Sequence, residues 1–416
     1  MTKVEAIKDY LINQIALGEL KAGDKLPSIR QLAKQFSCNK DTVQRALLDL
    51  RYEHYVHAIA KSGYYVLETK QEKEILDLPD SEIANIAYED FRLCLNEALI
   101  GREDYLFNYY HKEEGLPELI RAAHQLLVSG YVYSKIEQLM ITAGTQQALY
   151  ILSQLVFPNQ KTIILLEQPT YNRMVDLVRT LNLSVMTIDR GREGIDFERL
   201  EFILANYPIK FFYLIPRLHN PLGTSYSQSD MERLVALAED YDVYLVEDDY
   251  MSDFASHAPL HYYDTHERVI YLKSFSNTIF PALRLAIISL PLVLKESFIA
   301  YKKMMDYDTH LILQKALALY ITSGMYAKNT AHLKKRYERH VATLSEQLKD
   351  YDLSHYSIRH RDLILYLENK QISQKLAQLE GVDRLESSYL IENTHPVVAI
   401  SQLTALKKVL EILKKD

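Results

Sequence analysis

The sequence predicts an α/β protein in three parts. A small N-terminal module of three helices and a two-stranded wing precedes a large domain on a mainly parallel sheet, and a small α+β portion closes the chain. Three observations carry this. Apolar residues recur at helical spacing as far as Leu50, then fall into two short runs ending at Val66. From about residue 137, apolar runs alternate with helical patterns, as in a sheet covered on both faces. After Tyr307 a long helical segment leads into a mixed portion from about residue 353, which suits a large and a small domain better than a closed eight-stranded barrel. The 416 residues leave room for two or three cores, and 48% hydrophobic with 25% charged content is ordinary for a soluble globular chain.

In the first 68 residues, Val4, Ile7, Leu11 and Ile15 mark a first amphipathic helix that ends near Gly18. Ser28 and Gln31 have capping-box spacing at the start of a second helix, whose buried stripe is Ile29, Leu32, Ala33 and Phe36. Asn39 suits the N-cap of a third helix. That helix turns Val43, Ala46, Leu47 and Leu50 inward and Lys40, Asp41, Gln44 and Arg45 outward. Residues 55–59, a turn at Lys61-Ser62-Gly63 and residues 64–66 read as the wing. Such a winged helix-turn-helix places its third helix in the major groove of double-stranded DNA. The wording Gly23-Asp-Lys-Leu-Pro-Ser-x-Arg30-x-Leu-Ala33 and Thr42-Val-x-x-Ala46-x-x-x-Leu50 resembles the GntR family of bacterial regulators. The resemblance implies that Arg30 and Lys61 grip phosphates, while Asn39, Lys40, Thr42, Gln44 and Arg45 lie along the recognition helix.

Bulk charge contributes little to this reading. Residues 1–68 carry 10 Lys+Arg and 8 Asp+Glu, a balance of +2 within a chain of net charge −7. Two cysteines, Cys38 and Cys94, are too few for a disulfide framework, and no Cys/His cluster has zinc spacing, so no metal is expected. The apolar stretch 283–294 is too short for a bilayer and carries Arg284 and Pro291. A cytoplasmic chain without membrane association is the expectation.

Residues 69–82 are charged, hold Pro79 and read as a linker; residues 83–416 follow as one aminotransferase-sized domain, with a small subdomain over about 330–416. Strands are expected at residues 139–142, 162–166, 184–188, 211–215, 243–246 and 269–272, and helices at 146–156 and 230–238.

Motifs sit at the ends of those strands. Ala143-Gly144-Thr145-Gln146 opens a helix whose free amides and dipole suit a phosphate. Glu167-Gln-Pro-Thr-Tyr171, His219-Asn220-Pro221-Leu-Gly223 and Val246-Glu-Asp248-Asp-Tyr250 follow, then Lys273-Ser274-Phe-Ser276-Asn277, with Arg284 seven residues on. Singly, each reads as a turn or a cap. Their order resembles the fold-type-I aminotransferases and, with the N-terminal module, the MocR-like subgroup of GntR regulators.

That resemblance implies a pyridoxal phosphate (PLP) site. Gly144, Thr145, Gln146, Ser274, Ser276 and Arg284 would hold the phosphate. Tyr171 would stack on the ring, Asn220 and Tyr250 would meet its oxygen, and Asp248 would meet its nitrogen. It also implies a head-to-tail homodimer, and it places the long helix at residues 314–344, with His332-Leu-Lys-Lys-Arg336-Tyr337, between domains.

Three departures remove chemistry from this site. Asn277 stands where the lysine that carries PLP through an imine would be, and an amide nitrogen can neither form that bond nor act as a base. Val397 stands at the substrate-carboxylate arginine. Ile120 replaces an arginine of the pattern, a change expected at the surface. Lys273 lies four residues before Asn277, too far to replace it. Arg173 is a candidate for an anionic effector group, or equally a solvated helix arginine. The reading is a DNA-binding regulator with no catalytic residue, whose degenerate aminotransferase-like domain dimerises and binds a small-molecule effector. PLP would bind there only non-covalently. The alternative is a working PLP-dependent aminotransferase with an appended DNA-binding domain.

Overall fold

A computed structural model describes residues 3–16, 19–21, 23–52, 55–59, 63–66, 80–100, 103–106 and 113–348, then 356–359, 362–366, 376, 378–379, 382–384, 389–391, 397–400, 408–409 and 411–412. The chain divides into two compact units, Met1–Lys73 and Glu74–Asp416.

In the first unit, α1 (Lys3–Ala16), α2 (Ile29–Gln35) and α3 (Lys40–Tyr52) are followed by the antiparallel wing strands β1 (Val56–Ile59) and β2 (Gly63–Val66). Ile7, Leu11, Leu32, Val43, Ala46, Leu47 and Leu50 form its core, joined by Val56 and Val66 of the wing. Both expected caps form. Ser28 and Gln31 close a reciprocal capping box, and the Thr42 amide donates to Asn39 Oδ1 at 2.8 Å.

The second unit opens with α4 (Asp80–Leu99), so the last residues expected in the linker already belong to a helix; residues 67–79 lie outside the described residues. Then come α5 (Pro117–Ser129), β3 (Leu139–Thr142), α6 (Thr145–Gln154), β4 (Ile163–Gln168), α7 (Asn172–Thr180) and β5 (Val185–Gly191). After the two-residue β6 (Gly194–Ile195) follow α8 (Phe197–Asn206), β7 (Ile209–Leu214), α9 (Gln228–Asp240), β8 (Tyr244–Asp248), β9 (Val269–Ser274) and β10 (Ala286–Ser289).

These eight strands form one sheet in the order β3-β10-β9-β8-β7-β4-β5-β6. The neighbours β9, β8, β7, β4 and β5 are parallel, while β10 runs antiparallel between β3 and β9. Apolar residues point from both faces. One face packs on α6, α7 and α10 (Leu292–Met305), another layer on α8 and α9. A third cluster joins α4, α5 and α11 (Leu311–Thr322). Ile120 belongs to that cluster and is 7% exposed, so the expected surface change lies inside the core. Its helical phase explains this: Leu119, Ile120, Ala123 and Leu127 share one apolar face.

The long helix expected over residues 314–344 is two helices, α11 and α12 (Met325–Leu348), parted at Gly324. Gly324 takes φ +81°, outside the helical range and open to glycine without a Cβ clash. Beyond α12, β11 (Tyr356–Arg359), β12 (Asp362–Tyr366), β13 (Val382–Arg384) and β14 (Val397–Ile400) form an antiparallel sheet ordered β11-β12-β14-β13. Its core combines Leu363, Leu365 and Ile400 with Leu344 and Leu348 of α12. No described helix is long and apolar enough to cross a membrane.

Candidate functional site

In an open α/β sheet the carboxyl ends of parallel strands leave a crevice where the chain order reverses. Here β3, β4, β7, β8 and β9 end around one cavity of about 720 Å³. It is lined by all ten residues expected to hold a cofactor: Gly144, Thr145, Gln146, Tyr171, Asn220, Asp248, Tyr250, Ser274, Ser276 and Arg284. Asn277 and Arg173 line it too.

One end of the cavity offers donors. Gly144 is the N-cap of α6 with φ +80°, and no side chain caps that helix start. A Cβ at Gly144 would meet nothing within 4 Å, so its backbone faces open space beside the amides of Thr145 and Gln146. Arg284 has φ 50° and makes no ion pair among the described residues. Ser274 and Ser276 reach the cavity from the end of β9, the Ser276 amide donating to Ser274 Oγ at 3.2 Å.

Deeper in, Asp248 ends β8 and is 3% exposed. Its Oδ2 accepts from the Tyr213 hydroxyl at 2.8 Å, while Oδ1 is buried with no hydrogen-bond partner. Burial pushes this carboxyl up to about 7; the Tyr213 bond opposes the shift and nearby Asp249 adds to it. Tyr171, the N-cap of α7, is half-buried over the same core; burial and then Asp248 raise its phenol. The Tyr250 hydroxyl donates to the Leu218 carbonyl at 2.8 Å. Gln146 donates from Nε2 to the Arg173 carbonyl at 3.2 Å, tying α6 to α7. Arg173 itself is exposed and sits 3.5 Å from Asp176 on its own helix.

Asn277 occupies the turn after β9. Its Nδ2 donates to Met251 Sδ at 3.6 Å. The turn is pinned through Thr278, whose hydroxyl donates to Asp253 Oδ2 at 2.8 Å and whose carbonyl accepts from Asn329 of α12 at 2.9 Å. Lys273 points away. Side chains alternate across a strand, so with Ser274 in the cavity Lys273 faces the other side. There it lines a separate cavity of about 370 Å³ and reaches Asp253 Oδ2 at 2.9 Å. Val397 starts β14, opposite Tyr366 of β12.

Sequence reasoning missed the groups that hold the site. Glu167 is fully buried and accepts from Arg190 at 2.5 Å, from the Ile215 amide at 2.8 Å and from the Tyr226 hydroxyl at 2.7 Å. His219 Nε2 lies 3.3 Å away. Burial would raise the Glu167 carboxyl, but Arg190 and His219 outweigh it and hold it down at about 2. This network fixes the segment before Asn220. Arg179 of α7 donates to the Leu390 carbonyl at 2.6 Å, and the Thr170 amide to the Tyr389 carbonyl at 2.9 Å, which seats residues 389–391 beside the cavity. The acid of Glu167-Gln-Pro-Thr-Tyr171 was visible in sequence; its partners were too distant to name.

In the first unit, Arg30, Asn39, Lys40, Gln44 and Arg45 are exposed and Thr42 is half-buried. Asn39 Oδ1 is committed to the α3 cap, accepting from both the amide and the hydroxyl of Thr42. Lys61 lies outside the described residues.

Comparison with known proteins follows the same division. The family of bacterial regulatory proteins, gntR family, matches residues 3–66, and aminotransferase class I and II matches residues 95–398. The uncharacterized HTH-type transcriptional regulator YcxD of Bacillus subtilis is 40% identical over 341 residues, covering 79% of this chain and 76% of the relative. The probable rhizopine catabolism regulatory protein MocR of Rhizobium meliloti is 26% identical over 364 residues, 78% of this chain and 72% of that one. Among solved structures, the multiple substrate aminotransferase of Thermococcus profundus superposes with a TM-score of 0.71 at 20% identity, over 83% of this chain and 93% of that one, a likeness of fold.

Proposed function

Because this chain belongs to the gntR-type transcriptional regulators that carry a class I and II aminotransferase domain, we propose that it senses a phosphorylated pyridine ring held non-covalently in the 720 Å³ cavity and transfers no amino group. The observation that carries the reading is a pairing of opposites. Asp248 Oδ1 is buried without a partner in the cavity that the uncapped α6 amides also line, while the nearest strand lysine, Lys273, is turned into another cavity and bound to Asp253.

The residues fit PLP held by contacts alone. The α6 amides at Gly144, Thr145 and Gln146 would take its phosphate together with Ser274, Ser276 and Arg284. Tyr171 would cover the ring, Asn220 and Tyr250 would flank its oxygen, and Asp248 Oδ1 would accept from its protonated nitrogen. Bound PLP supplies a strongly electron-withdrawing ring. Asn277 offers neither an amine to hold it nor a base to move a proton. Arg173 would face an effector substituent beyond the ring.

The gntR-type domain binds DNA. Lys40, Gln44 and Arg45 on α3, with Arg30, Thr42, Asn39 Nδ2 and Lys61, would contact duplex DNA in the cytoplasm. A head-to-tail homodimer would present two such domains, and ligand binding would bias their arrangement. The test titrates in-vitro-selected duplex DNA with full-length protein, with and without PLP. The expected result is a change in DNA affinity of about 5-fold or more, with no PLP fixed by borohydride to a residue lining the cavity. Unchanged affinity, or amino-group exchange at enzymic rates, sinks the reading.

A further inference from the structure

The polar groups around the cavity are sorted by type, and the sorting selects a ligand. At the outer end stand donors: the uncapped α6 amides and Arg284. At the ring-nitrogen end stands an acceptor, Asp248 Oδ1, without a partner. The third position is Asn277. Its Nδ2 is turned to Met251, which is 1% exposed and outside the cavity lining. That leaves Oδ1 as the polar end of the side chain, and it accepts no hydrogen bond from a described residue. Asn277 therefore presents an acceptor, on a shorter side chain, at the chain position where a lysine would carry an amine.

An aldehyde oxygen is also an acceptor, so PLP would set oxygen against oxygen at this position. An aminomethyl group, protonated near neutral pH, would instead donate a charge-assisted hydrogen bond to Asn277 Oδ1. We propose that the cavity selects the amine form of the phosphorylated ring, pyridoxamine 5′-phosphate, over the aldehyde, and that Asn277 is the residue that sets this preference. The inference rests on the reading of the cavity given above. It adds which form of the ring is bound and reverses the preference that a lysine at the same place would impose. The bonds of Thr278 to Asp253 and Asn329 fix the backbone beside Asn277, and the contact of Nδ2 with Met251 Sδ orients the amide itself.

The test is isothermal titration of the full-length protein with pyridoxamine 5′-phosphate, PLP and inorganic phosphate, with borohydride and mass spectrometry used to subtract PLP bound to surface lysines. The amine form is expected to bind about 10-fold tighter than PLP, a difference of about 1.4 kcal/mol. Asn277→Leu, which removes the acceptor, should bring the two within about 2-fold, and Asn277→Asp, with acceptors only, should widen the gap. Melting curves establish that each variant folds.

PLP binding as tightly as the amine form, or a 10-fold preference that survives Asn277→Leu, overturns the inference and leaves the non-covalent ring site standing. Failure of both ring compounds to bind overturns the inference and the site together.

Discussion

Asp248 and Asp249 are neighbours in sequence and opposites in setting. Both are buried at the end of β8, one on each face of the sheet. Asp249 is saturated: Arg217 grips both its oxygens and the Tyr271 hydroxyl donates at 2.7 Å. Asp248 has one bond, from Tyr213, and a bare Oδ1. The same division repeats one strand over, where Lys273 is paired with Asp253 while Ser274 faces the cavity. A buried carboxylate left half-satisfied costs stability that the fold does not recover by itself. The saturated face is built to stand; the other is built to receive.

Removing a partner on the saturated side should have the largest effect. Asp249→Ala strands the Arg217 guanidinium in the interior and should cost about 3–5 kcal/mol in urea unfolding. A double variant, Asp249→Ala with Arg217→Met, should recover much of that loss, because the stranded charge goes with it. Equal losses in the single and double variants would remove the contrast.

Asp248→Asn should do the reverse. The folded carboxyl titrates at about 7, above its unfolded value of 3.8, so the folded state keeps a proton that the unfolded chain has lost. Its contribution is fully present below the unfolded value and disappears as pH rises towards 7. Unfolding of the ligand-free protein from pH 4 to 8 should show the variant gaining on the wild type by up to about 4 kcal/mol. The same variant should bind the ring more weakly. A gain at low pH, or none at high pH, would contradict the environment described for Asp248.

A smaller contrast separates Lys273 from Ser274. Lys273→Met leaves the half-buried Asp253 without its cation, though still bonded to Thr278 and Tyr326, and should cost about 2 kcal/mol of stability while leaving ring affinity within about 2-fold. Ser274→Ala should leave the melting temperature nearly unchanged and weaken phosphate-bearing ligands by about 1.5 kcal/mol. Calorimetry on the two variants separates them.

What could be read in the sequence follows the range of the interactions. Each of the six expected strands is present, because an apolar run bounded by turn residues is a local signal. The cavity was legible through the resemblance to fold-type-I aminotransferases, whose motif order implied that Gly144, Tyr171, Asn220, Asp248 and Ser274 meet; each motif by itself reads only as a turn or a cap. β10 went unseen, since its residues read only as an apolar stretch too short for a membrane. The break at Gly324 went unseen because one glycine in a helical pattern is usually tolerated. Arg217 with Asp249, and Arg190 with Glu167, join groups 32 and 23 residues apart, and no periodicity links them. The direction of the Asn277 amide depends on Met251, 26 residues away, and is equally a property of the folded chain.

The smallest effect carries the same contrast into the first unit, where α3 also has a buried and an open side. Val43, Ala46, Leu47 and Leu50 are at most 1% exposed, while Lys40, Gln44 and Arg45 are exposed. Lys40→Ala should therefore change stability by no more than about 0.5 kcal/mol. On DNA it should act as the loss of one phosphate contact. Affinity should fall about evenly across sequences, and the slope of log affinity against log salt should shrink by about one. Gln44→Ala, at a position suited to base edges, should instead relax discrimination between sites and leave that slope unchanged. Fluorescence anisotropy over a salt series distinguishes the two. Equal slopes for Lys40→Ala and the wild type would move the phosphate contacts off the start of α3.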